Sequence, residues 1–494
     1  MKNLITGKTK LNKSGIFIIY AFCVFLYACT IAAAADVVKH PSLLKYDALD
    51  YSPPDPAEYR HVLKNGMVIY FYEDHTLPVV DITAYCRTGS IMDKKEEWGL
   101  ASATAYMMRN GGAGIYSADD FNEQAEYLAA SIDCQMELTQ AKARLSVLKE
   151  NFESGMNLFC EMLRFPQFNT EKLVLYQDRL CEGITHRYDD SREVMEIAYN
   201  KFLNPDFPTS YLLDSSIVRS FTNQRLKEFY TNNFCPNRII LAVSGDISRK
   251  NMIKKLERMF GKWKNITLDN KAIVIPDMPE YSGRGLYFIQ KEATQVNVKM
   301  GYPLIQRPHE DFYALTLMNY LLGGGGFNSR IVAAVREQKG LAYNIRSSVE
   351  SNYFFPGTFN VYVGTKSSSF IQAVNLIFEE INKFKEEKIT DEELEKAKDY
   401  FILSLPSYFR TSAKIVETFA QSEYWGRGLD HYKQYIRKLN AIKPEDIQRV
   451  AKKYLDVNKL AIICVGDYNN CAADKRGMIN WGPIKRLVTE DLEK

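Results

Sequence analysis

Ser102, Ala105 and Tyr106 stand at i, i+3 and i+4 in the stretch GLASATAYMMRNGG, Gly99 to Gly112. Residues so spaced share one face of a helix. An inverted zinc motif, His-x-x-Glu-His, uses that geometry to place two imidazoles on a metal and a carboxylate beside its water. None of the three residues here is an imidazole or a carboxylate, so the stretch is a frame without that chemistry. The rest of it predicts a buried helix: Leu100, Ala101, Ala103, Ala105, Met107 and Met108 are apolar or small, and Asn110, Gly111 and Gly112 supply a stop.

The flanks of the frame, Gly99-Leu100-Ala101 before it and Met107 after it, resemble the M16 peptidases (the pitrilysin, insulinase or mitochondrial processing peptidase family). The motif of that family reads Gly-Leu-Ala-His-Phe-Leu-Glu-His-Met. The resemblance implies a third ligand, a glutamate on a later helix, and Glu182 follows Tyr106 by 76 residues, the family spacing. A catalytic zinc takes three protein ligands, so this carboxylate cannot hold one. On its surroundings alone, Glu182 reads as a solvated carboxylate of a helical segment from Thr170 to Tyr188.

A second match lies in the other half of the chain. Arg336, Glu337, Gln338, Lys339, Gly340, Leu341, Ala342 and Tyr343 fit the family setting Arg-Glu-x-x-Gly-Leu-Ala-Tyr throughout. The resemblance implies that Arg336 and Tyr343 face the catalytic cavity from across the zinc. Guanidinium and phenol there can donate hydrogen bonds to a substrate carbonyl and to the oxyanion formed when water attacks it. Without the resemblance, the pair reads as an exposed arginine and a half-buried strand tyrosine. Just upstream, Gly323, Gly324, Gly325 and Gly326 free the backbone for turns and for close approach by another chain. No Lys-Ser or Lys-Thr follows them, so they are not a P-loop. They compare loosely with the substrate-handling glycine-rich loop of the non-zinc subunit of mitochondrial processing peptidase.

The chain thus keeps one half of a split site, as the non-zinc subunits of bacterial two-subunit M16 peptidases do. That resemblance implies no cofactor on this chain, zinc in a homologous partner, and a heterodimer closing around an unfolded peptide. The competing reading is a structural or binding protein, like the M16-derived core subunits of respiratory complexes.

The elements that would position these residues repeat. Asn237-Arg238 followed by IILAVSGD corresponds to Asn458-Lys459 followed by LAIICVGD, 221 residues later, and each follows an amphipathic helix, Asn223 to Phe229 and Pro444 to Tyr454. Each half also opens on two strands, Val68 to Tyr72 and Val79 to Cys86 in the first, Gly285 to Gln290 and Gln295 to Tyr302 in the second. The expected fold class is α+β: two homologous domains, each a mixed sheet covered by helices on one face, forming half of a clamshell by the resemblance. The expected layout is a signal sequence at 1–35, a first domain at 36–265, a linker at 266–285, a second domain at 286–485 and a tail at 486–494. In M16 proteins substrate peptides add as an extra strand to a sheet edge, which the strand Val79 to Cys86, just before the motif helix, is expected to provide.

Lys2, Lys8, Lys10 and Lys13 with no acid, then the apolar run Gly15 to Ala35, predict a signal sequence and export, with the bacterial periplasm as destination. Lipidation at Cys29 and a retained anchor are the alternatives. Those four lysines exceed the whole net charge of +3, and no basic patch points to nucleic acid. The remaining cysteines, Cys86, Cys134, Cys160, Cys181, Cys235, Cys464 and Cys471, are odd in number and form no Cys-x-x-Cys, which suits buried free thiols. The six histidines are scattered, and no G-x-S-x-G elbow is present.

Overall fold

A computed structural model describes residues 51–265, 273–471 and 481–493. The predicted signal sequence, Cys29 and residues 266–272 of the predicted linker lie outside them. Everything below belongs to one compact unit, Ser52–Lys494.

Twelve strands form two six-stranded sheets. The first contains β1 (Arg60–Val62), β2 (Val68–Glu73), β3 (Val79–Cys86), β4 (Ser131–Met136), β5 (Ala141–Leu148) and β6 (Ile239–Gly245), in the order β1-β2-β6-β3-β5-β4. The second contains β7 (Gly285–Gln290), β8 (Gln295–Pro303), β9 (Ala342–Val349), β10 (Thr358–Lys366), β11 (Ala461–Gly466) and β12 (Ile484–Leu487), in the order β12-β7-β11-β8-β10-β9. In both, the Gly-terminated repeat strand inserts between the first two long strands of its half. β6 runs parallel to β2 and antiparallel to β3, and β11 runs parallel to β7 and antiparallel to β8. The duplication read from the sequence is therefore a duplication of topology.

The helices that matter for the site are α1 (Leu100–Asn110), α2 (Phe152–Arg164), α3 (Thr170–Thr185), α4 (Ser191–Leu203), α5 (Asn223–Asn233), α6 (Phe312–Asn319), α7 (Phe370–Glu386), α8 (Ser412–Tyr424), α9 (His431–Asn440) and α10 (Pro444–Tyr454). Among the described residues, no helix is long and apolar enough to cross a membrane. Residues 273–284 carry no regular structure. The seven cysteines among the described residues are free thiols, all buried except the half-buried Cys181.

Two expectations need correction. Helices cover both faces of each sheet, not one. All seven residues of β6 and all six of β11 are buried, which alternation with one solvated face would not give. Ile239, Leu241 and Val243 of β6 join the core built with α1, α2 and α5. On the opposite face Tyr70 of β2 packs on Phe419 of α8, a helix from the other half of the chain. The exchange is reciprocal: Val194, Met195, Ala198 and Tyr199 of α4 pack against Ala461, Ile463 and Val465 of β11.

Glu423 anchors α8 to the first sheet, accepting two hydrogen bonds from Arg60 (2.8 and 2.7 Å) and one from the Tyr70 hydroxyl (2.6 Å). Burial pushes the Glu423 carboxyl up, but these donors outweigh it and hold it below the usual range. At the other crossing, Lys299 of β8 pairs with Glu196 of α4 at 2.6 Å.

The second correction concerns the edge. β3 is interior, paired along its length with β5 on one side and β6 on the other, so its backbone donors and acceptors are already used. The strands that end the two sheets on that side are β4 and β9.

Candidate functional site

α1 forms where the sequence predicts it, because its small apolar side chains pack flat against the first sheet. Leu100, Ala101, Ala103, Thr104, Ala105, Met107 and Met108 are buried. Its start is fixed from outside the helix. The Asp93 carboxylate accepts the backbone N–H of Gly99 (3.0 Å) and of Ala101 (3.1 Å), two donors that the first helical turn cannot satisfy itself. Gly99 has φ 98°, a left-handed conformation that a side chain would strain. Burial pushes the Asp93 carboxyl up to about 7, despite these two donors.

Of the three frame positions, Ala105 is fully buried and Ser102 and Tyr106 are half-buried. Tyr106 does not face an open site. Its ring stacks on Tyr176 of α3 at 4.0 Å between centroids and 16° between planes, and its hydroxyl accepts a hydrogen bond from Arg179 at 3.1 Å. Tyr176, Arg179 and Glu182 follow one another at i, i+3 and i+6 along α3. Burial pushes the Tyr176 phenol up to about 12. Glu182 is exposed, and its carboxylate has no hydrogen-bond or ion-pair partner among the described residues. Stacked phenols and a guanidinium thus occupy the space between the two helices.

This donor set does not fit a catalytic zinc. It offers one carboxylate, no imidazole and no thiolate, beside a fixed positive charge that a dication would repel. Among the described residues, no group of three or more His, Cys, Asp or Glu side chains is placed to hold a metal ion. At these positions the described residues present no ligand set for metal-assisted peptide hydrolysis.

Arg336 and Tyr343 are brought together. Arg336 sits on a π-helical turn, Ala333–Gln338, and Tyr343 is the second residue of the terminal strand β9. The Arg336 guanidinium lies 4.6 Å from the Tyr343 ring centroid and 4.5 Å from that of Phe327, a cation–π arrangement. Tyr343 is 82% exposed and Phe327 60%, so the tyrosine is not the half-buried residue its strand position suggested. Neither the guanidinium nor the Tyr343 hydroxyl has a hydrogen-bond partner among the described residues. The rings fix the guanidinium's position and leave its N–H donors for something else.

The glycine run supports this cluster from below. Tyr320–Gly324 is a second π-helical turn, a rare form that recurs at functional sites. Gly323 is buried, and a Cβ there would meet the Ser347 side-chain oxygen of β9 at 2.6 Å and the Ser347 nitrogen at 3.0 Å. The close approach at this glycine is to the chain's own strand. Gly324 and Gly326 are exposed and Gly325 half-exposed. The helical segment after the run, Arg330 through Gln338, has Ser329 before it and the left-handed Gly340 just past it, and the Ser329 hydroxyl donates backward to the Gly326 carbonyl (2.6 Å) and caps no helical N–H.

Sequence reading missed Phe327, Tyr176 and Arg179. The i, i+3 succession of Tyr176, Arg179 and Glu182 was a usable signal, since it places all three on one flank of α3. Nothing in the local sequence marked Phe327.

Residues 68–196 match the family described as "Insulinase (Peptidase family M16)", and residues 220–401 match "Peptidase M16 inactive domain". A protein of Helicobacter pylori named "Non-peptidase homolog YmxG" is 23% identical over 403 residues, 81% of this chain and 91% of that protein. "Uncharacterized zinc protease YmxG" of Bacillus subtilis is 25% identical over 80% of this chain and 95% of its own. Among solved structures, a peptidase M16 inactive domain from Pseudomonas fluorescens superposes with a TM-score of 0.72 at 21% identity, over 83% of this chain and 97% of its own. The periplasmic protease PqqL of Escherichia coli gives 0.71 at 15% identity, over 92% of this chain and 51% of PqqL. At these identities the structural matches speak for the fold alone. With two M16 descriptions matched in order along two sheets of one topology, the chain belongs to the M16 peptidase family.

Proposed function

We propose that this chain is the zinc-less subunit of a heteromeric M16 metallopeptidase, supplying Arg336 and Tyr343 to a site whose metal is held by a homologous partner. The observation that carries this reading is the cluster of half-buried Arg336 with the exposed rings of Phe327 and Tyr343, positioned by ring contacts yet with its donors unspent among the described residues. When bound in the partner, zinc would supply the activated water. Arg336 and Tyr343 would orient the substrate carbonyl and hold the negative charge that develops on its oxygen. Tyr343 stands on a terminal strand, so a peptide lying along β9 would bring its carbonyls past the pair. The exposed glycines Gly324 and Gly326 would let that peptide come close to the backbone, and unfolded peptides of broad sequence are the expected substrates.

On this reading, residues 36–265 form the half with the vacated motif, 266–285 join it to the half at 286–485 that carries the pair, and 486–494 form a tail. The leader at 1–35 would direct export to the bacterial periplasm, either as a soluble protein or tethered through Cys29. The test is co-expression with a homologue that carries an intact His-x-x-Glu-His. One zinc per heterodimer, peptidase activity only in the complex, and loss of turnover in Arg336→Ala without loss of assembly are expected. Stoichiometric zinc and activity in the isolated chain would overturn the proposal.

A purely structural role has one observation in its favour, the closed Tyr106, Tyr176 and Arg179 packing. It predicts that Arg336→Ala and Tyr343→Phe leave every partner-dependent property unchanged.

A further inference from the structure

A second cluster, separate from the Arg336 pair, lies where the loop after β8, the β9–β10 loop and the α8–α9 connection meet. They form an open-mouthed cavity of about 210 Å³ lined by Arg307, Tyr353, Trp425, Arg427, His431 and Lys438. The Arg307 guanidinium is 3.7 Å from the Phe312 ring centroid and 4.5 Å from that of Tyr353. Arg427 lies 4.4 Å from the Trp425 ring and 5.0 Å from Tyr353, and donates to the Tyr353 hydroxyl at 2.6 Å. Trp425 and Tyr353 themselves stack, 8° from parallel.

The cluster's two guanidiniums have no carboxylate in contact, Asp430 acting on His431 from the neighbouring turn. Among the described residues, neither arginine has a carboxylate within ion-pair distance, and the Arg307 guanidinium has no hydrogen-bond partner. The nearby acids are engaged elsewhere: Asp311 by Arg449 (2.7 Å), Lys453 (2.9 Å) and Tyr454 (2.6 Å), and Asp430 by Gln434. Burial together with Arg427, Arg307 and Lys438 drives His431 down to about 3, although Asp430 opposes this. Two half-buried guanidiniums sharing a cavity without an anion are unfavourable unless something negative joins them.

We propose that this cavity binds a carboxylate, that of the C-terminal residue of a peptide. The volume is below that of sites for drug-sized ligands and admits one residue. Arginine edges pair with planar carboxylates in bidentate fashion, and the rings of Tyr353 and Trp425 offer an apolar wall to the side chain beside it. The wall argues against a bare inorganic anion as the preferred occupant.

Trp425 provides the readout. The full chain is titrated, by calorimetry and tryptophan emission, with a blocked tripeptide ending in a free leucine carboxylate, with its C-terminal amide, and with inorganic phosphate. The free acid should bind saturably, with the amide and phosphate at least tenfold weaker. Arg307→Gln should weaken the acid at least tenfold, and Trp425→Phe should abolish the emission change while the calorimetric signal persists. Equal binding of acid and amide, phosphate binding as tight as the acid, or no saturable binding would each overturn the proposal. The acid-versus-amide comparison needs no variant, so a misfolded Arg307→Gln does not blunt the test. Failure here leaves the Arg336 and Tyr343 reading untouched, since that is tested on the heterodimer's turnover.

Discussion

The face between α1 and α3 and the cluster at Phe327, Arg336 and Tyr343 are built from the same materials, aromatic rings and an arginine, with opposite results. In the first, Arg179 donates to the Tyr106 hydroxyl and the Tyr106 ring is stacked on Tyr176, so the arginine and the two rings are engaged with one another inside the fold. In the second, Arg336 rests on two exposed rings and its donors have no partner among the described residues. A polar group satisfied internally gains little from a ligand, whereas a preorganised donor left free can give most of its hydrogen-bond energy to one. Residue types alone do not separate a filled site from an open one.

The largest effect should come from the open cluster. In the heterodimer, Arg336→Ala should lower kcat by about 10²–10³, the usual loss for one oxyanion donor, with little change in thermal stability because the half-buried side chain packs only on exposed rings. A melting shift without a kinetic one would break the comparison. The filled face should behave in the reverse way: Tyr106→Ala should cost about 2 kcal/mol in denaturant unfolding, a half-buried fraction of a core aromatic truncation, and leave heterodimer turnover unchanged.

Asp93 sharpens the same point through pH. Its carboxyl titrates near 7 in the fold against 3.8 when free, so between those values the folded chain holds the proton more tightly than the unfolded one. Stability from this group therefore falls as pH rises from about 4 to about 7. Asp93→Asn should flatten that slope, a change of about 1–2 kcal/mol between pH 5 and 7 read from urea melts. Tyr343→Phe keeps the ring under Arg336 and removes only the hydroxyl, so its kinetic loss should be about tenfold, one hydrogen bond's worth. Glu182→Gln should be nearly silent, within about 0.5 kcal/mol and with unchanged turnover, as for an exposed surface change. A strong kinetic effect at Glu182 would mean that the α1–α3 face is not retired.

Much of the scaffold was legible. β3 and α10 have the predicted bounds, β2 and β8 run one residue further, and the repeat correctly paired β6 with β11. Their signals are local: apolar periodicity, a capping glycine, a Gly-Asp strand end. The covering of both sheet faces was not legible, because α4 and α8 each bury their apolar side against the sheet of the other half, and amphipathicity states that a face must be covered without stating by what. The interior position of β3 was hidden for a similar reason, since strand order depends on where β6 inserts, some 150 residues later.

The amino-acid sequence by itself determined the duplicated α+β plan, the absence of ligand chemistry at Ser102, Ala105 and Tyr106, and the spacing of Arg336 to Tyr343. Those follow from composition and local period, which act within a few residues. Only the tertiary structure decided that Tyr106 is stacked on Tyr176 and bonded by Arg179, that Phe327 joins the arginine, and that Arg307 and Arg427 converge on one cavity. Each of these depends on which distant surfaces meet, and long-range packing fixes that choice as the halves exchange α4 and α8.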